Sequence, residues 1–589
     1  MSTNQRITVG LTLERASNGK YLKNGATCIL VNGRIRYAAA EARFTRSKHA
    51  GGFINSLEQG LTEIGVNLKS VDEIGVSTCT DKKLSPEKVS ALTSGQLAAE
   101  KIVVAPHHRS HAYSAFIPSG FRRALILVMD AGGNIINGKT DKWWNVSREQ
   151  MTSFVASRDD LTLYDRDFDK PRKAGFGEVY RAVTYYLGWP SYTYSANTMA
   201  LAAYGDENAY PNLKFFDFKS GNVNSLVTND PEDPVLMIAR AASDQNVSLP
   251  SPKIKEDRFP EYGSNPHNSD YSNLARRLQD NFTTTLLDKV NCLVQQTDIK
   301  SLCIAGGVGL NCVANRDILD RTPIENLFVQ PAAGDDGQAL GNALYAYNSS
   351  SDLPESDQQF SVFLGPEYDL SADRLSDVPH FNLVSRSPRY SVWSPDDLTS
   401  EIAQRLADGE VIAWFQGKSE YGPRALGHRS ILADPGDEAL ARRCHKVKNH
   451  REAFRPFAPS VLSDYASEYF DVARDFPYMI VIAEARDKAH RETPGVIHTD
   501  GTSRIHTVKK DNNPKFYKLI DEFRKLTSIP MLLNTSFNKS GDPIVETPKD
   551  AIKSFMKMSI DSLVIGNTLV SKAEKLVLQN KAKFAKDIY

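Results

Sequence analysis

The run Ala124-Leu125-Ile126-Leu127-Val128-Met129 contains no polar side chain, and it constrains the fold more than any other stretch of the chain. A strand that is apolar on both faces has to be covered on both faces, which places it inside a layered α/β arrangement. The run stops at Asp130, followed by Ala131-Gly132-Gly133. A carboxylate at the mouth of a buried strand, ahead of a glycine-rich turn, stands where α/β folds bind ligands. Ile7-Thr8-Val9-Gly10-Leu11 and Ala26 to Val31 read as further strands, and Asn32-Gly33 after the second is a hairpin signal. Strands joined by tight turns and then alternating strand and helix predict an α/β domain.

A second constellation precedes the apolar run. His107 and His111 follow Pro106 four residues apart, and a helix started by that proline sends both imidazoles out of one face. The plainer reading is a pair of packing histidines. The chemical reading is half of a metal site, completed by Asp130 and a carboxylate of Ala333-Gly334-Asp335-Asp336-Gly337. Two imidazoles and two carboxylates with open positions suit Fe(II), Mn(II) or Zn(II). Either Asp335 or Asp336 can be the fourth ligand.

Further strand-to-helix turns carry candidates for nucleotide binding. Leu302-Cys303-Ile304-Ala305 runs into Gly306-Gly307-Val308-Gly309-Leu310-Asn311, where glycines let backbone N–H groups approach a phosphate. Gly306, Gly307 and Asn311 are the candidates there, joined by Glu178 in the helix opened by Gly175-Phe176-Gly177. Residues 141–173 are polar and include Trp143-Trp144, which predicts an inserted loop over the cleft. The stretch from Ala40 to His49 is basic apart from Glu41; it is a solvated helix face, or else Arg46 or Lys48 reaches an anion.

A chain of 589 residues exceeds one core and predicts more than one domain. Asn348-Ser349-Ser350-Ser351-Asp352-Leu353-Pro354 is a linker by composition. The expected division is 1–347, a connecting segment 348–393, and 394–589. Lys+Arg and Asp+Glu each count 71, so no global basic field points to nucleic acid. The cysteines, Cys28, Cys79, Cys292, Cys303, Cys312 and Cys444, form no CxxC and read as reduced thiols of a cytoplasmic protein. Neither a signal peptide nor an apolar run of about 18 residues is present, so no membrane span is expected.

The sharpest signals lie in the second half. The buried strand Val411-Ile412-Ala413-Trp414-Phe415 leads to Gly422-Pro423-Arg424-Ala425-Leu426-Gly427, and Lys446, Lys448, Arg451 and Arg455 follow. Cations framed by Phe454, Phe457 and Pro459 fit poorly with open solvent and call for an anion, of which phosphate is the usual one that prefers arginine forks. Arg504 follows Asp500-Gly501-Thr502-Ser503, and the strand Pro530 to Leu533 ends in Asn534-Thr535-Ser536-Phe537-Asn538. Amides at a strand mouth can read a base edge or a carbamoyl-like group. The stretch from Lys572 to Lys583 reads as a basic, solvated helix.

With these segments in hand, the chain resembles the NodU/CmcH family of O-carbamoyltransferases. The likeness runs in order through Glu41-Ala42-Arg43-Phe44-Thr45-Arg46-Ser47-Lys48-His49, His107 and His111, Leu201 to Gly205, Gly306-Gly307-Val308, 331–337, 422–427, 454–459, 500–502 and 533–538. It implies a Kae1-like N-terminal domain of actin/Hsp70-like (ASKHA) fold joined to a YrdC-like α/β domain. It also implies a reaction: the YrdC-like half converts carbamoyl phosphate and ATP, the latter with Mg2+, to carbamoyl adenylate. The Kae1-like half, with a divalent metal, then passes the carbamoyl group to a small-molecule hydroxyl, as in antibiotic biosynthesis. By position, His107, His111, Asp130 and Asp335 correspond to metal ligands, with iron foremost. Arg424, Arg455, Arg504, Asn534 and Asn538 correspond to the adenylate-forming set, with Lys448 and Arg451 beside it. Lys48, His111, Arg424 and Arg455 are the expected catalytic residues, and a homodimer is an open expectation.

Three departures from the family pattern stand out. Lys23-Asn24-Gly25-Ala26-Thr27 replaces an acidic signature, Ala196-Asn197 replaces Gly-Lys, and Lys448-Asn449-His450-Arg451 carries one extra residue, leaving Lys446 and Lys448 as alternatives. The first two point to an altered acceptor. A tRNA threonylcarbamoyl transferase shares the HxxxH half but not the arginine-rich second half. A non-enzymatic actin-like scaffold does not account for Arg424 to Arg455 beside Asn534 to Asn538.

Overall fold

The structure, a computed structural model, describes residues 5–13, 23–77, 85–93, 95–137, 146–158, 160–230, 232–253, 267, 269–353, 360–376, 378, 390–448 and 451–572. The chain forms two compact units, Met1–Ala42 with His49–Phe360, and Arg43–Lys48 with Ser361–Tyr589.

The first unit holds two five-stranded sheets. Strands β1 (Ile7–Thr12), β2 (Ala26–Val31), β3 (Arg34–Ala40), β4 (Glu73–Ser77) and β5 (Ile102–Val104) lie in the order β3-β2-β1-β4-β5. The first three are antiparallel, and β4 and β5 continue parallel to β1. Asn32 and Gly33 join β2 to β3 with φ of 51° and 73°, the paired left-handed conformation of a type I′ turn. Strands β6 (Arg123–Met129), β7 (Met151–Ser157), β8 (Leu161–Asp167), β9 (Ser301–Ala305) and β10 (Asn326–Val329) repeat the plan as β8-β7-β6-β9-β10, with the same senses. One strand order used twice is the duplicated arrangement of the actin/Hsp70-like fold, as the resemblance implied.

Residues 151–167 correct the expectation of an inserted loop. Met151 to Ser157 pairs along the whole of β6, from Met129↔Met151 to Arg123↔Ser157. Thr152 and Ser153 are fully buried despite their hydroxyls, so a polar composition concealed a covered strand. Trp143 and Trp144 lie outside the described residues.

Helices α1 (His107–Ser119), α2 (Phe176–Tyr186), α3 (Asp270–Thr297) and α4 (Gln338–Asn348) belong to this unit. Missing side chains let α4 press onto the first sheet: a Cβ on Gly10 would lie 1.9 Å from the Ala339 carbonyl oxygen, and one on Gly75 2.0 Å from that of Asn342. A Cβ on Gly341 would likewise lie 1.9 Å from the Ser110 carbonyl oxygen, so α1 and α4 touch backbone to backbone.

The second unit is built on a mixed eight-stranded sheet. Its strands are β11 (Tyr390–Val392), β12 (Ile412–Phe415), β13 (Arg429–Ala433), β14 (Ala458–Leu462), β15 (His506–Val508), β16 (Met531–Ser536), β17 (Ser562–Ile565) and β18 (Thr568–Ser571), in the order β11-β18-β17-β12-β13-β16-β14-β15. Leu398, Ile402 and Leu406 of α5 (Pro395–Ala407) and Phe516, Ile520 and Phe523 of α7 (Pro514–Thr527) form a core with Trp414 and Leu532, while α6 (Glu438–Val447) carries Lys446 near its end. β16 is antiparallel to both β13 and β14, and β15 is parallel to β14. Therefore β13, β14 and β15 begin at the same end of the sheet at which β16 finishes. Residues 424, 455, 504 and 538 all lie just outside that end. The basic stretch after Lys572 lies outside the described residues.

Candidate metal centre and anion site

Helix α1 begins after Pro106, which has no side chain able to cap it. Its first N–H groups find partners elsewhere: His107 N–H donates to Asn134 Oδ1 at 2.7 Å and His108 N–H to Glu149 Oε2 at 3.5 Å. Asn134 follows β6 closely, so the cap ties the mouth of that strand to the first turn of the helix. Asp130 and His107 meet as a result.

The four sequence candidates converge. One ligand atom from each of His107, His111, Asp130 and Asp335 lies within 4.8 Å of every other. His107 Nε2 is 3.2 Å from Asp130 Oδ2 and 3.6 Å from Asp335 Oδ1, and His111 Nε2 is 3.7 and 3.4 Å from the same atoms. Asp336 is not in the set; burial and the charge of Asp335 push its carboxyl up to about 6. Burial alone would raise Asp130, but its hydrogen bonds to the two imidazoles outweigh this and hold it well below the usual carboxylate range. Burial opposes a charge on His111, yet Asp130 and Asp335 prevail and lift it to about 9. His108 is turned away to Thr152 Oγ1 at 2.6 Å, and burial pushes it down to about 3.

Two buried imidazole nitrogens facing two carboxylate oxygens form a donor set that fits a divalent first-row cation. Gln338 packs its amide against the donor atoms themselves. Its Oε1 accepts from Ser77, its Nε2 donates to Asp335 Oδ1 at 3.0 Å, and that nitrogen also lies 3.1 and 3.0 Å from Nε2 of His107 and His111. Gly306, at the end of β9 with φ of 86°, approaches so closely that a Cβ there would lie 2.1 Å from the Met129 carbonyl oxygen. A Cβ on Gly307 would lie 3.7 Å from Asp130 Oδ1, so this turn borders the carboxylate.

In the second unit the order is set by Glu420, which is 3% exposed. Its Oε1 accepts from the N–H groups of Leu426, His428 and Arg429 at 2.9, 2.9 and 3.1 Å. From the other side, Asn534 Nδ2 donates to the Ala425 carbonyl at 3.1 Å and Trp414 Nε1 to that of Gly427 at 2.9 Å. The partly buried Arg424 therefore stands on a loop whose backbone is fixed by buried side chains. Arg429, fully buried, lies 3.6 Å over the Phe415 ring and donates to the carbonyls of Gln416, Gly417 and His428.

Beside this loop, Lys448 is 5% exposed and donates to Ser536 O at 2.5 Å, Ser536 Oγ at 3.1 Å and Asn538 Oδ1 at 3.1 Å. Burial, then Arg451 and Arg455, hold its ammonium well below the ordinary lysine range, and Lys48 adds to the repulsion. The same causes push His445 down to about 2. Arg455 is partly exposed, with Glu452 at 3.2 Å. Such crowding of like charge is a destabilised arrangement that an anion would relieve.

The sequence comparisons agree with both halves. Residues 80–344 match the carbamoyltransferase N-terminus, and residues 403–572 match the carbamoyltransferase C-terminus. Nodulation protein NolNO of Sinorhizobium fredii is 31% identical over 94% of this chain and 79% of its own length. The chain belongs to the carbamoyltransferase family. The 3'-hydroxymethylcephem-O-carbamoyltransferase of Amycolatopsis lactamdurans is 31% identical over 46% of this carbamoyltransferase and 49% of its own length. Among solved structures, HypF of T. kodakarensis aligns with a TM-score of 0.34 and 11% identity, covering 60% of this chain and 49% of that one.

Not every candidate of this carbamoyltransferase faces a ligand position. Asn311 caps the helix after it through Ala314 N–H at 3.1 Å and pairs with the Gln279 amide at 2.9 and 3.2 Å. Glu178, near the start of α2, is bound by Arg181 at 2.8 Å, while burial raises its pKa. Arg451 gives its guanidinium to the carbonyls of Arg455 and Pro456 at 2.6 and 2.9 Å. Arg46 donates to the carbonyls of Ile544 and Pro543 at 2.6 and 2.8 Å, so its guanidinium serves the backbone. Lys446 is exposed whereas Lys448 is buried in the cluster. Arg504, partly buried, ends a short strand, Thr502–Arg504, paired with Ile482–Glu484. Asn538 accepts from Lys448 and donates to the Lys539 and Asp542 carbonyls at 2.7 and 2.8 Å. Sequence reasoning missed Glu420 and Gln338. Gln338 had a signal, standing three residues after Asp335 at the start of a helix, whereas nothing local marks Glu420.

Among the described residues, no helix is long and apolar enough to cross a membrane.

Proposed function

We propose that this carbamoyltransferase moves a carbamoyl group from carbamoyl phosphate, by way of carbamoyl adenylate, to a hydroxyl of a small molecule such as a natural product or a sugar-like acceptor. The observation that carries this reading is the buried Lys448 bonded to Ser536 and Asn538 at the end of the sheet from which the Arg424 loop, fixed by Glu420, also projects, with the charges of Arg451, Arg455 and Lys48 disfavouring its own. Carbamoyl phosphate and the ATP triphosphate, with its Mg2+, repel each other, and dense fixed cations are what bring them together. Carbamoyl phosphate and water give carbamate and phosphate. A carbamate oxygen then forms a bond to the α-phosphorus of ATP as pyrophosphate leaves.

In the first unit, the acceptor oxygen attacks the carbamoyl carbon, AMP departs with the bonding pair, and the hydroxyl proton passes to a base. His107, His111, Asp130 and Asp335 would hold a divalent metal, iron, manganese or zinc, which when bound supplies Lewis-acid polarisation or neutralises phosphate charge. Gln338 holds the Asp335 carboxylate by a hydrogen bond, and Gly307 leaves room beside Asp130 for a ligand. An acceptor hydroxyl is supported by the relative whose name places its carbamoyl on a hydroxymethyl group.

The test is chemical. Purified protein with ATP, Mg2+ and carbamoyl phosphate should release pyrophosphate, and Arg424→Ala should abolish this. His111→Ala should leave pyrophosphate formation intact while stopping acceptor-dependent release of AMP. Equal loss of both steps in His111→Ala would overturn the division of labour. Screening hydroxylated natural products and sugars for the mass gain of one carbamoyl group identifies the acceptor.

A further inference from the structure

The second unit includes a segment from the far N-terminus. Arg43–Lys48 belongs to it, although the rest of that unit begins at Ser361. Arg43 is 6% exposed, and its Nη2 donates to the carbonyls of Glu420 and Gly422 at 3.0 and 3.3 Å, its Nη1 to that of Val545 at 3.4 Å. Arg46 donates through Nη1 to Ile544 and through Nη2 to Pro543, with Nε 3.7 Å from Asp550 Oδ1. Its backbone is left-handed, with φ of 56°. A long side chain holds that conformation only where its surroundings enforce it. A planar fork matched to neighbouring carbonyls is a task that lysine cannot perform.

The carbonyls that Arg43 reaches belong to the loop fixed by Glu420, the loop that carries Arg424. Two residues beyond Arg46 comes Lys48, whose charged neighbours are Arg455 and Glu452. The segment thus has one end latched to the loop and the other among the cations.

We propose that Arg43 and Arg46 are positioning residues that dock the segment Arg43–Lys48 onto residues 420–422 and 543–545, setting Lys48 as a cation of the site for the phosphoryl end of carbamoyl phosphate. This rests on the reading of the Lys448 and Arg455 cluster as an anion site. The guanidinium groups themselves touch no ligand; they act through Lys48.

The test uses the full chain and inorganic phosphate as the probe. Acetylation of Lys48 by acetic anhydride, followed by peptide mass, should be slowed by phosphate in the wild-type protein. Arg46→Asn, which tolerates the left-handed backbone, Arg46→Lys, which keeps the charge, and Arg43→Lys should each weaken that protection roughly tenfold or more, the loss of one charge-assisted contact. The KM for carbamoyl phosphate should rise in step while that for ATP stays constant, a split that a general loss of folding would not produce. Equal protection in variants and wild type, or no protection in the wild type, would overturn the proposal. Protection that behaves as described in a protein releasing no pyrophosphate would uphold the docking and sink the proposed activity. Pyrophosphate release with a KM for carbamoyl phosphate unchanged in all three variants would do the reverse.

Discussion

Replacing Glu420 by Gln removes a charge from the centre of the Arg424 loop and leaves its shape. One carboxylate oxygen accepts three backbone N–H groups, at 2.9, 2.9 and 3.1 Å. A hydrogen bond to a charged group contributes about 1 kcal/mol more than a neutral one, so the change costs about 3 kcal/mol before compensation. Relief from burying an anion offsets part of this, but Arg43 and Arg429, whose charges help to keep Glu420 ionised, then lose their carboxylate. A net loss of about 2–3 kcal/mol remains, equivalent to a fall of roughly 5–10 °C in the unfolding of a unit of this size. Calorimetry at pH 7, paired with pyrophosphate release, reads both consequences. Burial tends to raise the Glu420 pKa, but Arg43, His428, Arg429 and the loop N–H groups bring it below 4.5. The stabilisation is therefore present above pH 4.5 and is lost as the pH falls through the lower folded value, so the gap between wild type and variant should narrow in acid. A shift below about 1 °C at pH 7 would refute the idea that this carboxylate organises the loop.

Other consequences follow from the same geometry. Metal analysis of purified His107→Ala or His111→Ala should show the bound cation lost, whereas His108→Ala should retain it, because His108 faces Thr152. Gln338→Ala removes the hydrogen bond that holds the Asp335 carboxylate and should weaken metal affinity by about 10-fold or more, the usual effect of freeing a ligating carboxylate, measured by competition with a chelator. Gly341→Ala would force a Cβ to 1.9 Å from the Ser110 carbonyl, and should lower stability by about 1–3 kcal/mol or more while displacing the two histidines; unchanged stability and metal content would show that the two helices yield freely. Because burial and neighbouring cations hold Lys448 well below 10.5 and a bound anion favours its charged form, carbamoyl phosphate binding should take up protons at pH values between the depressed and the ordinary lysine range. Calorimetric titration in buffers of different ionisation enthalpy gives the number, and zero uptake would contradict the cluster's role.

Much of this was legible in the residues. The apolar run ending at Asp130, the four-residue spacing of His107 and His111, and the Asn32-Gly33 turn each carry their structure locally, through periodicity or backbone preference. Asp130 and a carboxylate of 333–337 are read from the residues as partners of the histidines, the resemblance selects Asp335 over Asp336, and the strand order explains the meeting. What escaped had no local mark. Residues 151–157 form a covered strand through pairing with β6, despite buried Thr152 and Ser153. Glu420 organises its loop through N–H groups six to nine residues further on, and Arg451 and Asn311 match a ligand-binding pattern while their donors serve the protein's own carbonyls and amides. Residue type announces a charge; only the fold decides what receives it.

The membership of Arg43–Lys48 in the second unit has a consequence for anyone exchanging halves between related enzymes. A chimaera joined at the serine-rich linker would carry six foreign residues into its second unit, whose packing would then follow two parents at once. Grafts that transplant those six residues together with everything after Ser361 keep that inheritance whole.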